Sequence, residues 1–500
     1  MTQTFDIVIR GGRVMDPETG FDQICDLGIL GDQIAALGEN LGPAHQVIEA
    51  TGQIVAPGFI DIHAHGQSIP ADRMQAFDGV TTTLELELGA LPVGNWLAAQ
   101  EKSGRILNFG TAAAWIFARK AVIIGMDLGN TPSLEMMGAG ADDPRWQNDI
   151  AEAEQVEEIV ALTRQGIEEG GIGIGLPNAY APGTGVKEMV AICQLAADTG
   201  TPTFSHVAYT ADIDPQSSIE AYIRLIGYAA STGAHMHICH LNSTSGTDVI
   251  RATELLQKAQ SYGLPITVEA YPYGTGSTVV SAAFYADPTF PKRTGRTYDS
   301  IQVVATGYRF QNREEVIAAA KKNPGELILT HFLNTEGYGP QQHLLDASVL
   351  YPGGAVASDA MPWIDASGAV FTSEEWPLPE NVFSHPRSSG TFTRFFRQYV
   401  RERPLVGLME AIERCTLIPC KVIEHCAPAL QRKARLQVGF DADIVVFDPA
   451  TIGERATFQQ MNRTAEGVSH LLVNGEPVIW QSEMVVDARP GRAIRSKVKG

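Results

Sequence analysis

Eight short apolar runs punctuate the middle of the chain: FIDIHAH (59–65), VTTTLELE (80–87), ILNFGT (106–111), GIGIGLP (171–177), PTFSHV (202–207), HMHICHL (235–241), ITVEAYP (266–272) and AVASDAMP (355–362). Helical patterns such as DIAEAEQVEEIVALTRQGIEEG and GTDVIRATELLQKAQSYG lie between several of them. Strands alternating with helices build parallel sheets, and eight of them predict an α/β chain folded as a (β/α)8 TIM-type barrel. A doubly wound sheet would need a Gly-rich phosphate turn after its first strand, where HAHGQS stands instead.

The flanks read differently. FDIVIRGGRVMD, ICDLGILGDQIAALG and QVIEATGQIVAPG alternate apolar and polar residues between Gly-rich breaks, and GFDADIVVFDP and HLLVNGEPVIW do the same near the other end. The simplest arrangement is one small β-sandwich domain built from both termini, residues 1–56 and 428–490. The barrel would then span 57–427. The tail RPGRAIRSKVKG is expected to be solvated and partly ordered.

Composition narrows the setting. With 44% hydrophobic and 19% charged residues, the 500-residue chain suits an ordinary globular protein. A net charge of -20 disfavours nucleic acid and anionic membrane as main partners. No apolar run is long enough to span a bilayer, and the N-terminal stretch lacks signal-peptide character. The six cysteines form no CxxC pair and are expected as reduced thiols, so cytoplasm is the expected compartment and a small molecule the expected partner. A homo-oligomer stays open.

Barrel chemistry gathers at the C-terminal ends of the strands. There the candidate strands offer His63 and His65, Glu85 and Glu87, His206, His240 and Asp359. Period-two alternation sets His63 and His65 on one face, together with Phe59 and Asp61. On the sixth strand it sets His240 in phase with Met236 and Ile238, and turns His235, His237 and Cys239 toward the helices. His331 lies on a segment that reads as an insertion and is a candidate supporting group. His45, His343, His425 and His470 read as surface or packing residues. Histidine and carboxylate ligands without cysteine pairs fit Zn(II), with Mn, Fe or Co as substitutes. Asp359 is the candidate general acid/base beside such an ion.

With the small β domain, GFIDIHAH resembles the amidohydrolase superfamily. GVTTTLELELG (79–89), VEAYPYGTGST (268–278), ASDAMP (357–362), HPRSSGTFTRFFRQYVRE (385–402) and GFDADIVVFDPATIGERATF (439–458) resemble its D-aminoacylase (N-acyl-D-amino-acid deacylase) family. The resemblance runs from about residue 5 to 480. It implies deacylation of N-acyl-D-amino acids on one or two zinc ions. Glu87, His206 and His240 would hold the tighter ion, and His63, His65 and Asp359 the weaker. It also implies that Asp359 shuttles the proton and that Arg387 binds the substrate carboxylate with help from Tyr273 and Ser277. Residues 274–354 would be an insertion able to cover the site.

Three departures stand out. The family's usual cysteine ligand near the end of the second strand is absent, leaving Glu87 or Glu85, and a carboxylate can bridge two metals. Asn242 stands where a carboxylate-binding lysine is usual and is the candidate substrate-binding group at that place. HAHGQ replaces a more acidic stretch. Two alternatives remain. A cyclic-amide hydrolase akin to dihydroorotase or hydantoinase would usually carry a bridging lysine on the fourth strand, which GIGIGLPNAY lacks. A non-catalytic barrel scaffold would be expected to have lost ligands.

Overall fold

The computed structural model describes residues 4–129 and 138–497. Five strands come first: β1 (Phe5–Asp16), β2 (Phe21–Leu30), β3 (Gln33–Gly38), β4 (Ala44–Glu49) and β5 (Ile54–Pro57). Seven follow: β6 (Phe59–Asp61), β7 (Val80–Ala90), β8 (Asn108–Ala114), β9 (Ile174–Pro177), β10 (Thr203–His206), β11 (Met236–Ile238) and β12 (Ile266–Ala270). Next are β13 (Thr275–Val279), β14 (Ile301–Val303), β15 (Leu327–His331) and β16 (Ala355–Val356). The last four are β17 (Ile444–Phe447), β18 (Val468–Val473), β19 (Glu476–Trp480) and β20 (Glu483–Met484).

Strands β6 to β12 and β16 form one parallel sheet in the order β16-β12-β11-β10-β9-β8-β7-β6. A parallel bridge between Ala64 and Ala360, just past the two edge strands, closes it into a barrel. All eight expected strands are present. Helices fill the crossovers, among them Ile69–Phe77, Val93–Ser103, Val186–Thr199, Ser218–Thr232 and Val249–Ser261. Their starts are chemically marked: Ser68 accepts the Ala71 N–H, and Ser217 accepts the Glu220 N–H in an S-x-x-E pair.

Ile60, Ile62, Leu84, Leu86, Ala112, Ile172, Phe204, Cys239, Ala355 and Ala357, on or directly flanking seven of the eight strands, pack together and so fill the barrel interior. Met236 and Ile238 instead pack among the outer helices. This corrects the phase expected for the sixth strand: Cys239 and His237 point inward. A parallel barrel strand is buried on both faces, so apolar character does not say which face is inside. His240 still reaches the rim because β11 ends at Ile238. His240 then adopts a left-handed backbone, φ 33° and ψ 62°, which breaks the alternation.

Both termini share one nine-stranded sheet, ordered β20-β19-β18-β17-β5-β1-β2-β3 with β4 beside β1. On β17, Ile444 and Val446 face the core of that sheet, while Val445 and Phe447 pack with Phe59 and Val80 of the barrel. The tail departs from expectation. Through residue 497 it is ordered against the barrel: Ile494 is buried in the interior cluster, its N–H bonds Phe109 O at 2.7 Å, and the Lys497 N–H bonds Cys426 O. A small antiparallel sheet, β13-β15-β14, lies between the last two barrel strands. Among the described residues no helix is long and apolar enough to cross a membrane. All six cysteines are buried and unpaired.

Candidate metal centre

The site assembles where strands end. β6 stops at Asp61, so His63 and His65 sit on the turn beyond it and not within a strand. Asp61 organises that turn. Its Oδ1 accepts the N–H groups of His63 (3.2 Å) and Ser358 (3.0 Å), and its Oδ2 accepts Gln75 Nε2 (2.6 Å) and the Ser358 hydroxyl. The first and last barrel strands are thereby tied together beside Asp359. Asp359 also has a left-handed backbone, φ 52°. Such conformations cost energy and collect at functional sites.

Glu87 lies at the centre. Its Oε1 is 3.0 Å from His206 Nδ1 and 2.8 Å from His240 Nε2, and its Oε2 is 3.2 Å from His63 Nε2 and 3.4 Å from His65 Nε2. Asp359 Oδ1 stands 3.5 Å from His63 Nε2 and 3.6 Å from His65 Nε2, and those two ring nitrogens are 3.2 Å apart. Glu85 faces elsewhere. Its carboxylate takes His65 Nδ1 at 3.0 Å and the Gly89 N–H. The structure thus sets Glu87, and not Glu85, amid the imidazoles.

Behind the site runs a polar chain that the sequence did not reveal. His63 Nδ1 hydrogen-bonds Glu269, which also takes His237 Nε2 at 3.1 Å. His237 Nδ1 meets Thr267 Oγ1 at 2.8 Å, and the same hydroxyl meets His235 Nε2 at 2.8 Å. The available signal was Thr267 and Glu269 alternating with Ile266 and Val268 in ITVEAYP, a buried strand with one polar face. His331 is not near the centre; it bonds Thr275 and Gln302.

The electrostatics favour positive charge at the centre. Burial works to lower the pKa of His65, yet Glu85 and Glu87 push it up to about 10. Burial likewise opposes a charged His63, but Glu269, Asp359 and Glu87 raise it well above the usual value. Glu87 is held well below the carboxylate range against the cost of burial, by His240, His63 and His206. Burial lowers His206.

The centre opens into a cleft lined by His65, Glu87, His206, His240 and Asp359 and walled in part by Tyr180, Tyr271, Ser277 and Phe284. Arg387 is fully buried beside it. Its Nη2 pairs with Asp359 Oδ2 at 2.9 Å, it stacks on Tyr271, and its Nε and Nη1 have no partner. Tyr271 Oη is also unpartnered. A Cβ built on Gly276 would lie 3.2 Å from Tyr271 Oη and 3.8 Å from Arg387 Nη1, so both donors approach the wall at one spot. Two expected contacts fall elsewhere. Tyr273 turns away and donates to Gly390 O at 2.8 Å, so Tyr271 faces the cleft in its stead. Asn242 donates its Nδ2 hydrogens to Tyr271 O and Tyr273 O, and its Oδ1 is buried without a partner. Ser277 lines the cleft while its hydroxyl donates to Ile328 O.

The model of the Amidohydrolase family matches residues 46–251 and 242–479. The chain belongs to this family. It is 28% identical to an N-acyl-D-glutamate deacylase of Alcaligenes xylosoxydans xylosoxydans, over 99% of this chain and 97% of that one. It is 26% identical to the D-aminoacylase of the same organism, covering 99% and 98%. Its fold matches that of the N-acyl-D-glutamate deacylase from Bordetella bronchiseptica, a structure complexed with zinc and a phosphonate inhibitor that mimics the tetrahedral intermediate. The TM-score is 0.77 at 23% identity, and the match covers 99% of this chain and all of the other.

Proposed function

We propose that this amidohydrolase removes the acyl group from N-acyl-D-amino acids with zinc at the Glu87 centre. One observation carries the assignment of the ion. His63 and His65 each commit Nδ1 to a carboxylate, so a cation at the centre would find each Nε2 turned toward the other and toward Glu87 and Asp359. Electron-rich atoms 3.2–3.6 Å apart in a dry site repel unless a cation lies among them. Tetrahedral Zn²⁺ with bonds of about 2.05 Å has ligand edges of about 3.3 Å. His63, His65, Asp359 and Glu87 Oε2 suit one ion, and His206, His240 and Glu87 Oε1 a second.

A zinc ion lowers the pKa of water and polarises a carbonyl. The chain's own groups do the rest. Asp359 takes the proton of the attacking water and returns it to the leaving amine nitrogen. Arg387, with two free guanidinium nitrogens, and the Tyr271 hydroxyl bind the α-carboxylate. Glu269 and Glu85 hold His63 and His65 in the tautomer that leaves Nε2 free. The unpaired thiols fit a reducing compartment, and we place the protein in the cytoplasm, which fractionation of native cells tests.

The deciding experiment combines metal analysis with acetate release from N-acetyl-D- and N-acetyl-L-amino acids. Bound zinc with D-selective release, abolished by chelation and by Asp359→Ala, is the expected result. A zinc-loaded protein that hydrolyses neither series would overturn the assignment.

A further inference from the structure

A second hollow opens beside the metal-site cleft, and the proposed chemistry leaves it without a role. Ala179, Ala208, Ala211, Ala283, Phe284 and Phe290 line it. Ala179 follows β9, Ala208 and Ala211 follow β10, and Ala283 and Phe284 lie between β13 and β14. Thr210 and Phe284 line both this chamber and the cleft that holds His206 and Glu87, so the two spaces share a wall. Phe284 supplies the ring of that wall. Its centroid is 5.9 Å from that of Tyr180, in an edge-to-face contact, and 4.5 Å from that of Tyr285, and these contacts hold the ring in place.

The chamber is framed by hydrogen bonds that use up its polar groups. The Asp212 N–H donates to Arg293 O at 2.9 Å, and Arg293 Nη2 donates to Pro215 O at 2.5 Å and to Gln216 O at 2.9 Å. The loop after β10 is thereby tied to the short helix Phe290–Thr294. Asp287 accepts the N–H and the hydroxyl of Thr289, both at 2.7 Å, and the Thr294 hydroxyl donates to Phe290 O at 2.8 Å. Tyr209 lies under the Arg224 guanidinium, and Gln216 is exposed at the rim. The rest of the lining is mainly methyl and phenyl surface. Four alanines from three separate loops leave room that larger side chains would fill. Such a hollow gains from an apolar occupant and has little to offer a polar one.

The barrel order says which half of the substrate points there. Tyr271 follows β12 and Asp359 follows β16, and Arg387 pairs with Asp359 at 2.9 Å, so the amine half with its α-carboxylate is held on that side. The chamber lies beyond β9 and β10, with β11 between the two positions. An amide anchored beside Asp359 therefore directs its acyl half past His206 toward Phe284. We propose that the chamber receives the tail of an apolar acyl group, so that the enzyme takes N-acyl-D-amino acids with acyl chains of medium length. This rests on the deacylase assignment above and adds the acyl specificity to it.

The test compares zinc-loaded wild type with Ala208→Phe and Ala283→Phe on N-acetyl-D-leucine, N-octanoyl-D-leucine and N-acetyl-D-α-aminodecanoate, the last carrying its apolar tail on the amino-acid side. Calorimetric binding of octanoate and acetate to the same proteins gives a readout that needs no turnover. Each buried methylene is worth about fourfold, so an octanoyl chain that half enters the chamber should raise kcat/KM over the acetyl substrate by about 10²-fold. Each phenylalanine fills the chamber and should collapse most of that ratio, and the octanoate-to-acetate ratio in binding with it. The two substitutions lie on different loops, so a variant that fails to fold leaves the other to decide. A wild-type octanoyl ratio near one, a gain on N-acetyl-D-α-aminodecanoate in its place, or equal losses on all three substrates in the variants would overturn the acyl chamber and leave the deacylase intact. Hydrolysis of none of them by wild type would remove the deacylase assignment. Octanoate binding weakened by both variants would then still support the chamber as an apolar-tail site, and binding unchanged in both would remove it as well.

Discussion

Replacing Glu269 by Gln changes one charge behind the metal centre and little else. Glu269 Oε1 takes His63 Nδ1 and, at 3.4 Å, the His240 N–H, while Oε2 takes His237 Nε2 at 3.1 Å. An amide has one acceptor oxygen. Turned toward His63, it keeps the tautomer with a free Nε2. The amide NH₂ then faces His237, which accepts through Nε2 and moves its proton to Nδ1, where Thr267 Oγ1 lies 2.8 Å away. Every group stays paired, and only the negative charge that makes His63 a stronger donor is gone. Loss of such a supporting carboxylate typically costs about 10–100-fold in metal affinity, or about 1.4–2.8 kcal/mol. Glu269→Ala differs: it strands three buried N–H donors at about 1–3 kcal/mol each and opens a cavity. Zinc affinity is read by competition with a chromophoric chelator, and stability by urea unfolding of the metal-free protein. The expected pattern is weaker zinc with near-normal stability for Gln, and losses in both for Ala. Wild-type zinc affinity in Glu269→Gln would refute the assignment of Glu269 as the group that tunes His63.

Three other perturbations follow from the structure. Asp72→Ala removes the carboxylate that takes Arg105 Nε at 2.8 Å and the Ile106 N–H at 3.1 Å, leaving a buried guanidinium without its counter-ion and with only Gln67 and Gln100 as acceptors; it should cost about 3–5 kcal/mol in urea unfolding. His385 is neutral in the fold: its Nδ1 accepts the Arg387 N–H, its Nε2 donates to Thr275 O, and burial, then Arg387, holds its pKa well below 6.5. The unfolded chain takes up the proton that the fold refuses, so this contribution is present above pH ~6.5 and lost as pH falls, at about 1.4 kcal/mol per pH unit. His385→Gln should flatten the acid limb of the stability curve by that amount, and an unchanged limb would contradict the assignment. Gly175→Ala would put a Cβ 2.5 Å from Glu87 O and 2.9 Å from Leu86 O; zinc content and activity should both fall sharply.

The barrel was legible because its strands are short apolar runs at regular spacing, and all eight appear close to the positions read from the sequence. His63, His65, Glu87, His206, His240 and Asp359 were legible as metal-type side chains at strand ends, and the fold brings all six together. Inside against outside was not legible. Both faces of β11 are buried, and the polar chain from His63 through Glu269 to His237 lies on the face that the apolar pattern assigned to the helices. The exchange of Tyr273 for Tyr271 has the same origin, since both belong to YPY and the chain beyond β12 no longer keeps strand phase. The tail was misread because its basic composition hides Ile494, whose side chain packs into the barrel interior.

Glu87 reaches two sets of ligands because of a device that no periodicity announces. In the pairing of β7 with β8, Glu85 stands opposite Thr111 but Ala90 stands opposite Ala113, so β7 spends five residues where β8 spends two. Gly89, at φ 75°, turns this bulge in a conformation open chiefly to glycine. The bulged backbone presses toward β9, where Gly175 leaves room for it and no other residue would. Glu87 is thereby carried across to His206 and His240 while its second oxygen stays with His63 and His65. A cyclic-amide hydrolase of the expected kind would bridge its metals with a lysine from the fourth strand. Here that strand contributes a glycine at the contact, and the carboxylate that would take the bridging place, Glu87, arrives from the second strand. The absent lysine, the Gly175 contact and the bulge are therefore one structural fact, and it favours the deacylase over the cyclic-amide alternative.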